Sequence, residues 1–181
     1  MLNFEKPIYK ITEYVENNNY GKFELEPLER GFGTTIGNAL RRVMLSSMPG
    51  SAIVAVKIDG VMHEFQTIEG VVEDVTTIVL NLKSIVLINH TDEKKVLHLS
   101  VSKEGVVTAG DIETDSDVEI VNKDQVIATL AKGGKLDMEL IIANGRGTAL
   151  SNENKKYTQD DKVGYIPIDA LFSPIERINF Y

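Results

Sequence analysis

Cysteine is missing from all 181 residues of this chain. Its absence excludes disulfide staples, thiolate zinc sites and cysteine nucleophiles, and it sits easily with a reducing cytosol. Long apolar runs are missing too: those present, such as residues 85–88, fall far short of the roughly 20 residues that cross a bilayer as a helix. No basic segment followed by an apolar one opens the chain, so a secretory signal is not expected. Positive charge is scarce. Nineteen Lys and Arg stand against 27 Asp and Glu, a formal net charge of −8. Nucleic-acid binding draws on Lys and Arg that displace counterions from phosphates, so this chain alone is expected to bind DNA poorly. If it serves nucleic-acid chemistry, it does so through protein partners.

What is present suffices for a core. Hydrophobic residues make up 43 % of the chain, in a length that suits one large domain or two small ones. Most of the sequence reads as strands. Residues 22–26 alternate, with Phe23 and Leu25 on one face. Residues 52–58 alternate as well, and Asp59-Gly60 then supplies a hairpin turn before a second strand at 61–65. Leu97, Leu99 and Val101 share a face, as do Leu136, Met138, Leu140 and Ile142, with Asn144-Gly145-Arg146-Gly147 closing that strand as a turn. The polar stretch 151–162 reads as a surface loop. Residues 163–168 are strand-like up to Pro167, and the pattern returns to strand at 175–181.

Two segments are predicted to be helical. Over 35–48, a rotation of about 100° per residue places Ile36, Ala39, Leu40, Val43 and Met44 on one wide face. Thr34 or Thr35 caps its start, and Pro49-Gly50 stops it. Over 71–82, Val71, Val75, Ile78, Val79 and Leu82 recur at helical spacing, against the strand preference of their β-branched side chains. Two helices among many strands make an α+β fold.

The first helix has a second face. Opposite the apolar stripe lie Asn38, Arg41, Arg42 and Leu45, with the leucine between the two arginines. An apolar anchor flanked by arginines is the composition of a protein–protein hot spot. Spacing alone leaves this reading level with an incidental exposed leucine beside two solubilising charges. Just upstream, Gly31, Gly33 and Gly37 give G-x-G-x-x-x-G, one residue longer than the dinucleotide fingerprint, and no Gly-Lys-Ser/Thr follows. A nucleotide-binding enzyme built on residues 30–37 is the rival from a different class, and a weak one.

Other constellations read as surface. His63, His90 and His98 fit no metal-ligand spacing and are expected to be solvated or hydrogen-bonded. Asp111, Glu113, Asp115, Asp117 and Glu119 alternate, which would put five carboxylates on one strand face, without the glycine and terminal glutamate of a calcium loop. The adjacent pairs Glu73/Asp74 and Asp160/Asp161 diverge on any regular backbone, and Ser46-Ser47 has no recognisable base. No catalytic residue, metal or cofactor is expected on this chain.

The run from Leu25 to Ser47, L-E-P-L-E-R-G-F-G-T-T-I-G-N-A-L-R-R-V-M-L-S-S, closely resembles the signature of the bacterial RNA polymerase alpha-subunit family. Four further stretches agree in the same order: V-K-I-D-G-V-M-H-E-F at 56–65, E-G-V-V-E-D-V-T-T-I-V-L-N-L-K at 69–83, D-V-E-I-V at 117–121 and S-P-I-E-R-I at 173–178. The resemblance covers essentially the whole chain. It implies a discontinuous dimerisation domain of antiparallel strands plus an amphipathic helix, with a mainly β domain inserted into it. In this numbering the first comprises 1–50 plus 170–181 and the insert 51–169. The family's alpha subunits pair, then recruit the beta and beta-prime subunits of a cytoplasmic, nucleoid-associated nucleotidyltransferase.

Carried over residue by residue, the resemblance places Ile36, Leu40, Val43 and Met44 in the dimer core. It places Arg30, Gly31, Phe32, Gly33, Asn38, Arg41, Arg42, Leu45, His63, Glu64, Phe65, Thr67, Gly70, Glu73, Asp74 and Arg177 at contacts with the large subunits. No direct nucleic-acid or membrane contact is implied. Family members carry further strands, a long helix and a tethered DNA-contacting domain beyond the point matching Tyr181. The expectation is therefore an incomplete dimerisation domain with an under-buried helix stripe.

Overall fold

The computed structural model describes residues 5–159 and 163–181; among these, residues 5–44 with Arg177–Tyr181 form one compact unit and those of Leu45–Glu176 a second. The whole is α+β, mostly antiparallel strands with few helices.

In the first unit, β1 (Ile8–Val15) and β2 (Tyr20–Glu26) form an antiparallel ribbon. One extra residue, Thr12, interrupts the register between Ile11 and Glu13, and its hydroxyl donates to the carbonyl of Lys22 (3.2 Å). A bulge of this kind shifts side-chain parity by one. Strict alternation would have followed Tyr9 and Ile11 with Glu13; after the bulge it is Tyr14 that joins them, opposite Phe23 and Leu25. Helix α1 (Phe32–Ser47) follows, its last three residues already in the second unit; it begins two residues before the expected threonine caps, out of a turn in which the Phe32 N–H donates to the carbonyl of Glu29. Residues 175–181 form no strand, contrary to expectation. A strand exists only as half of a hydrogen-bonded ladder, and β1 and β2 pair with each other alone. The tail packs through Phe180 instead, which lies so close to Gly37 on α1 that a Cβ there would fall 2.4 Å from its ring.

The second unit is organised on β3 (Pro49–Ile58) and β9 (Leu136–Arg146), paired from Pro49↔Arg146 to Ile58↔Met138. The sheet runs β5 (Lys95–Val101), β9, β3, β4 (Leu87–Asn89), β7 (Val118–Ile120). The free edge of β3 is shared between β4 at one end and β11 (Ile166–Pro167) at the other. That arrangement explains why the expected hairpin partner at 61–65 is a loop: β11 already occupies the edge beside Ala55 and Val56.

The simple alternation expected over 52–58 also fails, because both faces of β3 are covered. Residues Ala52 to Val56 are all buried. A bulge between Ile53 and Ala55 turns Val54 and Ala55 to the same side. There they meet Ile141, Ala170 and Phe172, while Ile53, Val56 and Ile58 face the larger core. That core is closed by α2 (Val75–Lys83), which buries Val75, Ile78, Val79 and Leu82, and by the ribbon of β6 (Gly105–Thr108) and β8 (Val126–Leu130). Helix α2 starts four residues later than its periodicity suggests. Residues 71–73 are held to β8 instead, through the Val71↔Leu130 bridge and the Val72 N–H on the Thr129 carbonyl (3.0 Å).

Strands β3 and β4 share one ladder pair, Ser51↔Leu87. Side chains make up the difference. Ser51 Oγ donates to Asn144 Oδ1 (2.7 Å) and accepts from the Asn89 N–H (2.9 Å), and Asn144 Nδ2 donates to the carbonyls of Asn89 and Thr91. Asn144 and Gly145, expected in a turn, thus lie inside β9, and Gly145 is required because the Phe172 ring would sit 2.7 Å from a Cβ. Gly147 then turns the chain into β10 (Thr148–Ala149), which pairs with β12 (Ala170–Leu171). The expected loop at 151–162 begins instead with a helical turn, α3 (Ser151–Asn154). Its Asn154 is fully buried and donates to the Ile168 carbonyl (2.7 Å). Asp160 and Asp161 lie outside the described residues.

Leu140 is fully buried on the central strand. Leu140→Ala is expected to destabilise the second unit by about 2–5 kcal/mol, because the lost contacts leave a cavity the sheet cannot collapse around. Urea denaturation of the two forms measures it.

Candidate subunit interface

Among the described residues of the first unit none is buried. Helix α1 has 16 residues and a clear apolar stripe, yet Leu40 is 51 % and Val43 56 % exposed, with Ile36 and Met44 half-buried. On the opposite face Asn38, Arg41 and Arg42 are exposed and Leu45 is half-buried. The ribbon repeats the theme. Tyr9, Ile11, Tyr14 and Phe23 are all more than half exposed. These residues are missing from the expected site; in β1 the bulge at Thr12 brings Tyr14, where plain alternation would have put Glu13, beside Tyr9 and Ile11.

Arg30, Gly31, Phe32 and Gly33 are exposed at the start of α1, with Gly31 at φ +91°. Gly33 and Gly37 are inside the helix rather than in a loop before it, which removes the geometric basis of a phosphate-cradling reading. Arg177 is exposed in the tail, where Tyr181 lies beside Lys22 of β2, its ring centre 5.5 Å from the ammonium. The hydrogen bond and charge of Tyr181 raise the Lys22 pKa above its ordinary value.

In the second unit, segment 61–74 carries the remaining expected contacts. Met62 is 84 % and Phe65 79 % exposed, with the His63 ring 6.5 Å from that of Phe65. Glu64 and Thr67 are exposed too. Glu73 and Asp74 are turned to internal tasks. The Glu73 carboxylate accepts from the Thr129 N–H (2.6 Å) and hydroxyl (3.0 Å), and Asp74 caps α2 by accepting from the Thr77 N–H (2.8 Å). Gly70, half-buried, offers its carbonyl to the Ala131 N–H (2.9 Å). Adjacent carboxylates diverge as anticipated, one to a strand and one to a helix end.

The five alternating acids do not share a strand face. Asp111 caps a helical turn by accepting from the Thr108 N–H. Glu113 bridges to His98, Asp115 and Asp117 flank a turn, and Glu119 alone lies on a strand, β7. Lys95 binds Asp117 (2.7 Å) and Asp115 (3.2 Å), which raise its pKa. Asp115 is held low by the Asp117 N–H first and Lys95 second. Among the described residues no group of three or more His, Asp or Glu side chains is placed to hold a metal ion, and no helix is long and apolar enough to cross a membrane. The charge is unevenly divided. Residues 45–176 contain 12 Lys and Arg against 21 Asp and Glu, a net −9, and the rest of the chain is close to neutral.

A family model described as "RNA polymerase Rpb3/RpoA insert domain" matches residues 56–173. Curated relatives from Symbiobacterium thermophilum, Desulfitobacterium hafniense and Moorella thermoacetica, each named "DNA-directed RNA polymerase subunit alpha", are 56 %, 54 % and 54 % identical over 180 residues. The match covers 99 % of this chain and 56 % of each relative, so the chain spans about half their length.

The Asp74 cap supplies a pH signature. Hydrogen bonds from Thr77 lower the Asp74 pKa, so its stabilisation of α2 is complete above the ordinary carboxylate range and is lost as pH falls through the depressed value. Acid titration followed by amide exchange at Thr77 is expected to show protection falling with pH in the native chain and no such step in Asp74→Ala.

Proposed function

This chain belongs to the RNA polymerase alpha-subunit family that carries the Rpb3/RpoA insert domain, and from that membership we propose that it pairs with a second alpha chain and scaffolds the beta and beta-prime subunits for DNA-templated transcription. The observation that carries this reading is a 16-residue helix with no buried residue and two chemically distinct faces. Apolar burial drives association, at about 1.5–3 kcal/mol for each large side chain taken from exposed to buried. A second copy would cover Ile36, Leu40, Val43 and Met44, together with the ribbon's Tyr9, Ile11 and Phe23.

The other face of the helix, Asn38, Arg41, Arg42 and Leu45 with the preceding residues Arg30 to Gly33, is assigned to the large subunits. The same assignment extends to segment 63–74, in which Glu73 and Asp74 serve through their internal hydrogen bonds, and to Arg177. Guanidinium groups pair bidentately with carboxylates, and Leu45 between them fills a pocket, which is how a small patch acquires most of an interface's energy. Nucleotidyl transfer itself belongs, on this reading, to the other subunits, since two-metal chemistry needs clustered carboxylates. This chain would carry no cofactor, act in the cytoplasm within the nucleoid-associated polymerase, and touch DNA through its partners. The net −9 of residues 45–176 is consistent with that last point.

Two experiments test the faces separately. Leu40→Asp and Val43→Asp, at sites already half exposed, are expected to leave the circular dichroism of the alpha chain unchanged. By light scattering they convert a dimer into monomers; a persisting dimer overturns the stripe's assignment. Arg42→Ala and Leu45→Ala are expected to keep the dimer and lose co-purification with the beta subunit. Normal assembly by both variants overturns the opposite face.

A further inference from the structure

Segment 61–74 leaves the end of β3 and returns into α2 with little regular structure, yet its backbone is tied down along its length. The N–H groups of Met62 and His63 both donate to Gln66 Oε1, so one side-chain oxygen closes the first half of the segment. The Thr76 hydroxyl donates to the Glu64 carbonyl (2.8 Å), and the Val75 N–H donates to the Gln66 carbonyl (3.1 Å). At the far end the half-buried Glu73 carboxylate takes both donors of Thr129 on β8. Between these ties the outward side chains are apolar and acidic: Met62, Phe65 and Val72 are at least 71 % exposed, and Glu64 and Glu69 are exposed beside them.

An ordered loop that displays large apolar side chains has already given up the conformational entropy that a flexible one would lose on binding. The charge states what lies opposite. Residues 59–74 contain Asp59, Glu64, Glu69, Glu73 and Asp74 and no Lys or Arg. We propose that Gln66 and Glu73 are positioning residues that hold segment 61–74 in its docking shape before a partner arrives, and that the partner surface is an apolar pocket for Phe65 rimmed by Arg or Lys. This rests on the reading of the segment as a contact for the large polymerase subunits. Gln66 and Glu73 touch no partner themselves; they act through Met62, Phe65 and Val72.

The test titrates purified beta and beta-prime subunits against the alpha chain at two salt concentrations, with amide exchange and thermal unfolding measured on each variant. Phe65→Ala is expected to weaken binding on the order of tenfold, the usual scale for a buried aromatic anchor. Gln66→Ala and Glu73→Ala are expected to keep the melting transition of the insert unit, to speed exchange at Met62, His63 and Thr129, and to weaken binding roughly three- to tenfold. Glu73→Gln restores most of that loss, because an amide still offers one acceptor to the Thr129 N–H and a donor to its hydroxyl. Raised salt weakens the native complex, as a basic rim requires. Should Glu73→Ala fail to fold, Gln66→Ala on the loop decides the question alone. Faster exchange with unchanged affinity, while Phe65→Ala still weakens binding, overturns the positioning role and leaves the docking reading standing. Unchanged affinity in both Phe65→Ala and Met62→Ala removes the docking reading and the inference with it.

Discussion

The long ladder between β3 and β9 is the interaction from which the second unit is built. It brings Ser51 opposite Asn144 and Val56 opposite Leu140, 93 and 84 residues apart in sequence, and gives the sheet two faces that must both be covered. Helix α2 and the β6–β8 ribbon cover one; the segment from β10 to Phe172 covers the other. Each later feature leans on that pairing. The loop at 61–74 exists because β11 closes the β3 edge, and the Ser51–Asn89–Asn144 network exists because β4 meets β3 at one ladder pair. Polar groups left without partners in so dry a place would each cost about 1–3 kcal/mol, so the network is what allows a short strand to end beside a long one.

The two units solve the burial problem differently. The second hides its large aliphatic side chains so thoroughly that many are wholly inaccessible. The first hides none among its described residues, and its helix and ribbon are amphipathic without a second layer. Amphipathic elements gain their stability chiefly from packing of the apolar face rather than from local propensity. A unit of this kind gains stability from whatever covers it.

Rigidity and exposure are combined at the 61–74 segment in a way that loops seldom show. Most irregular segments satisfy their backbone with water and remain mobile. Here side chains of the chain itself, Gln66, Glu73 and Thr76, take that role and leave the apolar groups outside. The carboxylates of Glu73 and Asp74 show how the family-derived contact residues divide: neighbours in sequence, they serve the loop and the helix cap, while Phe65 is exposed to the surroundings.

Much of the architecture was legible in the residue pattern. The α1 stripe, the helical period from Val75 to Leu82 and the inward set Leu136, Met138, Leu140 and Ile142 all follow from spacing, because burial on one side imposes a period of 3.6 or 2 whatever the partner is. The α+β class and the two-faced helix followed from the same logic, and the long signature around residues 25–47 pointed to the family. What spacing could not reveal was decided by neighbours distant in sequence. Alternation at Ala52–Val56 disappears when both faces are covered, residues 61–65 lose their strand to an edge already taken, and 175–181 have no ladder to join. The bulge at Thr12 and the turning inward of Glu73 likewise depend on Lys22 and Thr129, which no local pattern brings near. Sequence sets which side of an element is apolar; the tertiary structure alone sets whether that side is covered, because coverage depends on hydrogen-bonded edges and packing partners supplied from elsewhere in the chain.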